Sequence, residues 1–282
     1  MNQTYELKEQ TMSKKLIVLD LDGTTLRDDL TISSHTKNTL EKARMAGHEV
    51  MIATGRPYRI SGSYYHELGL TTPIVNFNGA VYHHPRLTTF AEGYHHAIDL
   101  QVVHELLDFS NGFSLDNIAA EVQDNVFLKE RNNSVPETFH LGTENIVFGN
   151  IRDAIKSDAT SLLFFGKLDQ LDLISKHLDE SLSGVISHHT WGASAWPAVE
   201  IIKFGIHKAI GVQAAAKTLG FDRKDIIAFG DETNDLQMLD YAGVGVAMGN
   251  AAESVKNVAN VVTASNQDNG IAVYLEENLN LY

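Results

Sequence analysis

Two aspartates one residue apart, Asp20 and Asp22, directly follow an apolar run, Leu16–Leu19, and precede Gly23. A continuous apolar run of this length is typical of a strand buried on both faces, as in the middle of a parallel sheet. Glycine lets the backbone turn sharply, so we expect the strand to end there. Carboxylates at the carboxyl end of a central strand lie where open α/β sheets bind ligands, and they suit a divalent cation and acid–base chemistry.

The aspartate pair also has simpler interpretations. An EF-hand loop begins with alternating aspartates, but its glycine comes later in the loop and a helix precedes it, whereas a strand precedes Asp20. A solvated acidic turn after a strand stays open on this stretch alone.

Three further polar groups fall at predicted strand ends or helix starts: Thr54, Lys208, and the acidic turn Asp231, Asn234 and Asp235. Each has a structural explanation of its own. Thr54 can cap the helix after it, Lys208 can be a solvated lysine, and acidic residues are favourable at a helix N-terminus. However, a parallel sheet brings its carboxyl edges together, so these groups are expected to converge with Asp20 and Asp22 on one crevice.

Such a crevice would hold four carboxylates, a lysine and a hydroxyl, and the carboxylates repel one another unless a cation lies among them. The candidate ligands are all oxygens, the chain has no cysteine, and no paired histidine motif accompanies them, so Mg²⁺ is favoured over zinc. Mg²⁺ with a lysine and backbone N–H groups is a phosphate-binding arrangement, in which one aspartate can attack phosphorus.

The elements that must position these groups alternate as in a doubly wound α/β fold. The patterns predict strands Leu16–Leu19, His48–Ala53, Pro73–Phe77, Asp225–Phe229, Gly243–Ala247 and Asn260–Val262, and a hairpin turn at Asn78-Gly79. They predict helices from Ser33 to about Ala46, from Pro57 to about Leu68, His207–Leu219, from Thr233 to about Tyr241, Ala252–Val258, and from about Asp268.

A different pattern fills the middle of the chain, where strands and helices mix as in an α+β unit with an antiparallel sheet. Its predicted strands are Gly112–Ala120, Glu121–Leu128, Ser161–Phe165 and Val185–His189, and its helices are Leu100–Phe109 and Leu168–Leu182. We therefore expect a core formed by residues 14–83 and 197–282, interrupted by an inserted cap at 84–196. Residues 1–13 are expected to be a flexible arm, in which Met12 is a candidate alternative start.

Composition sets outer limits on the function. The chain has 282 residues, 43% of them hydrophobic, and a formal net charge of −14, which argues against a nucleic acid or an anionic membrane as the main partner. It has no cysteine, so disulfides and thiolate metal sites are excluded. It shows no apolar run of membrane-spanning length and no evident signal peptide, so we expect a cytoplasmic protein.

Several motifs together resemble a known family. The segments DLDGT, ATGR (Ala53–Arg56), Lys208 and GDETND resemble, in order, the four motifs of haloacid dehalogenase superfamily phosphatases. The segments FNGA, AGVGVAMGNA and VTASNQDNGIA and the insertion point resemble the Cof-type, class IIB branch. The resemblance covers roughly residues 14–82 and 199–282, and it implies a Rossmann-like core with an inserted α/β cap.

The resemblance implies a role for each motif residue. Asp20 would be the nucleophile that forms an aspartyl-phosphate, and also a metal ligand. Asp22 would act as general acid and then general base, with its main-chain carbonyl on Mg²⁺. Asp231 would be a further metal ligand, supported by Asp235. The groups that would hold the phosphoryl oxygens are Thr54, Lys208, Asn234 and the N–H groups of Leu21 and Gly55, and the candidates for substrate or cap contacts are Arg56 and Asn78.

Some polar and aromatic residues compete with these assignments. Lys203 lies close to Lys208 in sequence, but spacing favours Lys208. The histidine pairs at 83–84, 95–96 and 188–189 are interpreted as hinge or surface residues rather than as a metal site. Trp191 and Trp196 are expected to be cap packing or hinge residues.

The sequence thus predicts a Mg²⁺-dependent phosphatase that acts on small phosphorylated metabolites, either sugar phosphates or phosphorylated cofactors such as pyridoxal phosphate or flavin mononucleotide. The insert is expected to set specificity, because the core grips only the phosphate and the reacting oxygen. A phosphomutase on the same scaffold and a non-catalytic sugar-phosphate sensor are the alternatives, and the oligomeric state stays open.

Overall fold

The computed structural model describes residues 13–140, 146–191, 195–279 and 281. Its strands in chain order are β1 (Leu16–Leu19), β2 (Glu49–Ile52), β3 (Ile74–Asn76), β4 (Val81–His83), β5 (Tyr94–His95), β6 (Asn117–Val122), β7 (Asn125–Leu128), β8 (Ile146–Phe148), β9 (Ser161–Phe165), β10 (Ile186–Thr190), β11 (Ala198–Lys203), β12 (Ile226–Gly230), β13 (Val244–Ala247) and β14 (Val261–Val262). Its α-helices are α1 (Ser34–Met45), α2 (Tyr58–Glu67), α3 (Leu100–Ser110), α4 (Ile151–Ala154), α5 (Leu168–Ser181), α6 (Lys208–Leu219), α7 (Leu236–Tyr241), α8 (Glu253–Lys256) and α9 (Gly270–Asn278). Among these described helices, none is both long and apolar enough to cross a membrane.

A five-stranded parallel sheet in the order β14-β13-β12-β1-β2 forms the core, with β1 inside it. All four residues of β1 are fully buried, because successive side chains point to opposite faces and helices cover both. Ile17 and Leu19 pack in the cluster that includes residues of α1 and α9. Leu16 and Val18 pack in the cluster that includes residues of α6 and α7. The doubly wound core is therefore confirmed.

A small antiparallel sheet, β3-β4-β5, continues the core beside β2 through a parallel bridge between Ala53 and Val75. The predicted hairpin turn at Asn78-Gly79 joins β3 and β4, and the backbone is left-handed at Phe77, Asn78 and Gly79. A Cβ on Gly79 would lie 2.3 Å from the carbonyl oxygen of His207, so glycine lets this turn pack against the start of α6.

A second sheet, in the order β10-β11-β9-β6-β7-β8, is antiparallel except for its β7–β8 pair. One face packs with residues of α3 and α5 in a single apolar cluster. On the opposite face, Ala119, Leu163 and Glu200 lie side by side across β6, β9 and β11, because Leu163 is the register partner of both neighbours. The inserted α+β unit with an antiparallel sheet is confirmed.

Three predicted strand boundaries in this sheet are wrong. We predicted strands Gly112–Ala120 and Glu121–Leu128, but β6 begins at Asn117 and extends to Val122, and the hairpin turn lies at Gln123 and Asp124. Gln123 adopts a left-handed backbone, with a φ of 52°, a conformation in which glycine and asparagine are the usual turn signals. The turn coincides with the polar run Gln123-Asp124-Asn125, so this run, and not the junction of Ala120 with Glu121, marks the break.

The pairing of strands within the sheets indicates where the insert, predicted at residues 84–196, begins and ends. β5 pairs with β4 of the core hairpin, whereas β11 pairs with β9 and β10 of the second sheet. We therefore propose that the insert begins after β5 and ends after Lys203. The arm predicted for residues 1–13, with the candidate start at Met12, lies outside the described residues apart from Ser13.

Candidate active site

The ends of β1 and β12 and the start of α6 deliver the predicted site residues to one place. Asp20 follows β1, and its N–H donates to the Phe229 carbonyl at 3.1 Å, which extends the pairing of β1 with β12. Asp231 follows β12 directly, and Lys208 is the first residue of α6. The side chains of Asp20, Asp231 and Lys208 are all buried.

Lys208 is a fully buried cation between two carboxylates. Its Nζ donates to Asp20 Oδ1 at 2.6 Å and to Asp235 Oδ1 at 2.7 Å. Burial alone would lower the pKa of Lys208, but these two carboxylates raise it above its ordinary value. Burial raises the pKa of Asp20 well above its ordinary value; Lys208 opposes that rise, while Asp235, Asp22 and Asp231 add to it. The site therefore carries more negative charge than its one lysine offsets.

The same acidic cluster suits a divalent cation. Carboxylate oxygens of Asp20, Asp231 and Asp235 lie within 4.8 Å of one another. Burial raises the pKa of Asp231 to about 7; a hydrogen bond from Thr24 Oγ1, 2.6 Å away, opposes the rise. Hard oxygen ligands crowded in this way fit Mg²⁺, whose charge would offset their repulsion. The donor set therefore fits the predicted metal.

Asp235 holds the turn as well as the lysine. Its Oδ2 accepts from the backbone N–H groups of Asp231 at 3.0 Å and Glu232 at 3.1 Å, while its Oδ1 accepts from Lys208. Both oxygens are thus already engaged within the protein. This geometry suits the supporting role that the family resemblance implied for Asp235, and it leaves Asp20 and Asp231 as the leading ligand candidates.

Asp22 lies apart from the buried cluster, with about half of its side chain exposed. Its two oxygens accept from Arg56, Oδ2 from Nε at 2.7 Å and Oδ1 from Nη2 at 2.5 Å. Arg56, predicted as a candidate substrate or cap contact, therefore orients Asp22. A bidentate arginine fixes the orientation of the carboxylate that it binds.

The loop after β2 and the hairpin turn lie against each other beside Asp20. Thr54 Oγ1 accepts from the Arg56 N–H at 3.1 Å, so it closes the turn rather than capping α2. Asn78 Oδ1 accepts from Asn234 Nδ2 at 3.0 Å, and it would lie 3.1 Å from a Cβ on Gly55. The buried Oδ1 of Asn234 has no hydrogen-bond partner among the described residues. The contacts of Thr54 and Asn234 with a phosphate stay a prediction.

Leu21 begins the turn after Asp20, and its carbonyl accepts from the Leu26 N–H at 2.8 Å. Its fully buried side chain fixes the loop on the core. The contacts of the Leu21 and Gly55 N–H groups with phosphoryl oxygens stay a prediction.

A cavity of ≈ 280 Å³ lies between the core loops and the second sheet. The core contributes Asp20, Asp22 and Arg56 to its wall. The second sheet and its loops contribute an apolar and acidic wall, formed by Glu121, Phe139, Leu163, His189, Trp191 and Glu200. The reacting group and the face of the insert are therefore parts of one binding site.

The comparison with known proteins decides the family. A sequence model of haloacid dehalogenase-like hydrolases matches residues 17–275. The chain belongs to this family. It is 44% identical over 266 residues to the 5-amino-6-(5-phospho-D-ribitylamino)uracil phosphatase YitU of Bacillus subtilis (strain 168), covering 94% of this chain and 98% of that protein. The enzyme is a phosphatase of the haloacid dehalogenase-like family, as the motifs predicted.

Solved structures of this family share the fold. A haloacid dehalogenase-like hydrolase from Bacteroides thetaiotaomicron superimposes with a TM-score of 0.82 and 28% identity, covering 94% of this chain and 99% of that one. The subclass IIB sugar phosphatase BT4131 gives a TM-score of 0.78 at 24% identity, covering 94% and 98%, and this likeness concerns the fold alone. The predicted haloacid dehalogenase-like family is therefore confirmed, with its fold.

The competing residues of this haloacid dehalogenase-like phosphatase are not part of the acidic group at Asp20. Lys203 is exposed and donates to Asp99 at 3.2 Å, so the structure brings Lys208 and not Lys203 to Asp20. In the described part of the chain, the acidic group at Asp20 is the grouping suited to a metal, and it contains no histidine. Trp191 and Trp196 both pack against an apolar cluster of the insert.

The sequence reasoning missed residues that complete the site of this phosphatase. Asn250 Nδ2 donates to the Gly23 carbonyl at 2.8 Å and to Asp231 Oδ2 at 3.3 Å, so it ties the two loops together. Glu121 and Glu200 place carboxylates on the insert's wall of the cavity. The sequence feature that could have identified Glu121 and Glu200 is a charged residue inside an otherwise apolar strand. Such a residue is rare unless its charge has a partner or a function.

Proposed function

We propose that the enzyme hydrolyses the phosphate monoester 5-amino-6-(5-phospho-D-ribitylamino)uracil with Mg²⁺, through an aspartyl-phosphate on Asp20. The observation that carries the chemistry is the buried carboxylate of Asp20, held by Lys208 at 2.6 Å and lining the cavity. The substrate assignment is supported by the 44% identity to YitU over nearly the whole length of both chains.

In the first half-reaction, the carboxylate of Asp20 attacks phosphorus and the bond from phosphorus to the ester oxygen breaks. Asp22, released from Arg56 and protonated, gives its proton to that oxygen, so the alcohol leaves neutral. Lys208 holds one Asp20 oxygen, which orients the nucleophile and offsets repulsion from the incoming phosphate.

In the second half-reaction, a water attacks the same phosphorus and Asp22 takes the proton of that water. The bond between phosphorus and Asp20 breaks, which releases inorganic phosphate, restores the carboxylate of Asp20 and leaves Asp22 protonated for the next turnover. If Asp22 instead gives this proton to solvent, Arg56 can bind its carboxylate again with the two contacts it makes here. Atoms and charge balance without any further reactant.

Asp20, Asp231 and the main-chain carbonyl of Asp22 would hold Mg²⁺, with Asp235 supporting the turn. When bound, the cation supplies charge that stabilises the negative oxygens of the transferring phosphoryl group. The fit rests on the crowded carboxylates, whose oxygens approach within 4.8 Å. Thr54, Asn234 and the Gly55 N–H would bind the phosphoryl oxygens that Lys208 does not reach.

A panel of phosphate esters tests the proposal. We expect kcat/KM for 5-amino-6-(5-phospho-D-ribitylamino)uracil to exceed that for pyridoxal phosphate, flavin mononucleotide and ribose 5-phosphate at least about tenfold, a difference of about 1.4 kcal/mol in transition-state stabilisation. Released phosphate is measured with Mg²⁺ and with excess chelator, and Asp20→Asn is the matched inactive control. Equal rates for all esters would contradict the substrate, and activity in chelator would contradict the metal.

A further inference from the structure

We infer that Glu200 and Trp191 form a subsite for the leaving group, which recognises a planar nitrogenous ring that presents N–H donors. The inference deepens the proposed function and rests on it. It makes Glu200 a specificity-determining residue, located on the insert and separate from the phosphoryl-transfer machinery.

Glu200 points from the sheet of the insert into the cavity. It lies on β11, with Leu163 of β9 and His189 of β10 as its register partners, and both of these residues also line the cavity. Only 8% of Glu200 is exposed. Its Oε2 accepts from Trp191 Nε1 at 3.2 Å, and no other hydrogen bond to this carboxylate is found among the described residues. This buried carboxylate therefore has unused acceptor capacity, since a carboxylate can accept several hydrogen bonds and here it receives one from a neutral donor.

The neighbouring carboxylate of Glu121, in the same wall of the cavity, accepts a hydrogen bond at each of its two oxygens. Glu121 Oε1 accepts from Arg59 Nη2 in a buried ion pair, and its Oε2 accepts from Ser161 Oγ at 2.8 Å. In the described part of the chain, Glu200 pairs with no lysine or arginine. The two carboxylates differ in this respect, so Glu200 is the one that needs a partner from outside the protein.

The surroundings of Glu200 define the chemistry of that partner. The Trp191 ring, Phe139 and Leu163 line the same cavity and offer flat apolar surface. A second anionic group is disfavoured directly beside Glu200, which has no cationic partner among the described residues. A flat ring with N–H or amino donors meets both conditions, because its faces pack on apolar side chains while its edge donates to the carboxylate.

The direction in which the pKa of Glu200 is shifted is consistent with this geometry. Burial raises the pKa of Glu200 to about 7, and the nearby charge of Glu121 adds to the rise. Donors supplied by a ligand would stabilise the ionised carboxylate and offset the cost of its burial.

The test compares two esters that share the ribityl phosphate: 5-amino-6-(5-phospho-D-ribitylamino)uracil and D-ribitol 5-phosphate, which lacks the ring. We expect Glu200→Gln to lower kcat/KM for the ring-bearing ester about 10- to 100-fold, the range for a lost hydrogen bond to a charged group. It should change the value for ribitol 5-phosphate less than about threefold, since that ester has no ring to donate to Glu200. Glu180→Gln is the matched control, because Glu180 is an exposed glutamate on α5.

The outcomes separate the two proposals. A selective loss on the ring-bearing ester supports the subsite. Equal losses on both esters, or no loss on either, would overturn the subsite while leaving the phosphatase assignment intact. If the wild-type enzyme releases no phosphate from the ring-bearing ester, the proposed substrate fails and the inference fails with it. Trp191→Leu provides a second variant, which should lower the same ratio of the two kcat/KM values by removing the flat ring.

Discussion

Replacing Lys208 with methionine removes the buried ammonium but keeps a long unbranched side chain. The lysine Nζ lies 2.6 Å from Asp20 and 2.7 Å from Asp235, so the variant leaves two buried carboxylates without their cation. Breaking a buried ion pair in this way costs about 3–5 kcal/mol. Because one carboxylate can take up a proton, we expect the low end, about 3 kcal/mol, at pH 8. That corresponds to a fall in Tm of roughly 6–12 °C.

The pH dependence of this loss follows from Asp20. Its pKa in the folded wild-type protein is already raised, and removal of Lys208 raises it further. Above about pH 4 the folded state then keeps a proton that the unfolded state has lost, so stability falls as pH rises. The destabilisation by Lys208→Met should therefore be smaller at pH 5 than at pH 8. Urea denaturation in chelator at both pH values measures it.

Lys203→Met is the matched control, since the side chain of Lys203 is partly exposed and pairs with Asp99 at 3.2 Å. We expect this control to change the free energy of unfolding by less than about 1 kcal/mol and to leave turnover unchanged. Lys208→Met should lower kcat about 10²–10³-fold, as loss of one charge-stabilising group does elsewhere. If Lys208→Met lost equal stability at the two pH values, or turned over substrate like the control, the proposed charge interactions of Lys208 with Asp20 and Asp235 would be refuted.

Three other predictions test separate parts of the site. Asp22→Asn should lower turnover far more than it weakens Mg²⁺ binding, because its proposed metal contact is main-chain; parallel losses of both would contradict that division. Chelation should abolish activity and Mg²⁺, but not Ca²⁺, should restore it, while Asp231→Asn should lose the rise in Tm that Mg²⁺ gives the wild type. Glu200→Gln should raise the free energy of unfolding at pH 8 by about 2–3 kcal/mol and much less at pH 5. The reason is that the folded protein, in which this carboxyl has a pKa of about 7, keeps a proton that the unfolded chain releases above about pH 4.5, so stability is lost as pH rises from there to about 7. A stabilisation that is independent of pH in urea denaturation would contradict it.

Much of the fold was readable from local patterns. β1 is apolar without interruption because helices cover both faces of its sheet, and this produces the run at Leu16–Leu19. α1 begins where Ser33 accepts the Thr36 N–H at 3.0 Å, as its capping signal predicts. By contrast, the left-handed residue at the break, Gln123, is not a glycine, and the local signal for this turn was the polar run Gln123-Asp124-Asn125, which the prediction did not use.

The site was predictable to the extent that its residues follow strands. Asp20 and Asp231 converge because parallel strands end at one edge, a property of topology that the sequence pattern carries. The partnership of Arg56 with Asp22 was not predictable, because it depends on how one loop folds over another. The positions of Glu121 and Glu200 in the cavity wall could not be predicted without the register of the second sheet. That register places both residues on the face toward the core.

The aspartyl-phosphate on Asp20 can be measured directly. The enzyme, with Mg²⁺ and ester labelled in its phosphate, is quenched in acid within one turnover, and the labelled peptide is identified. We predict label on the peptide that contains Asp20, its loss during a chase with unlabelled ester, and neither label nor turnover in Asp20→Asn. Turnover by the wild-type enzyme without labelled Asp20, or undiminished turnover by Asp20→Asn, would contradict the proposed mechanism.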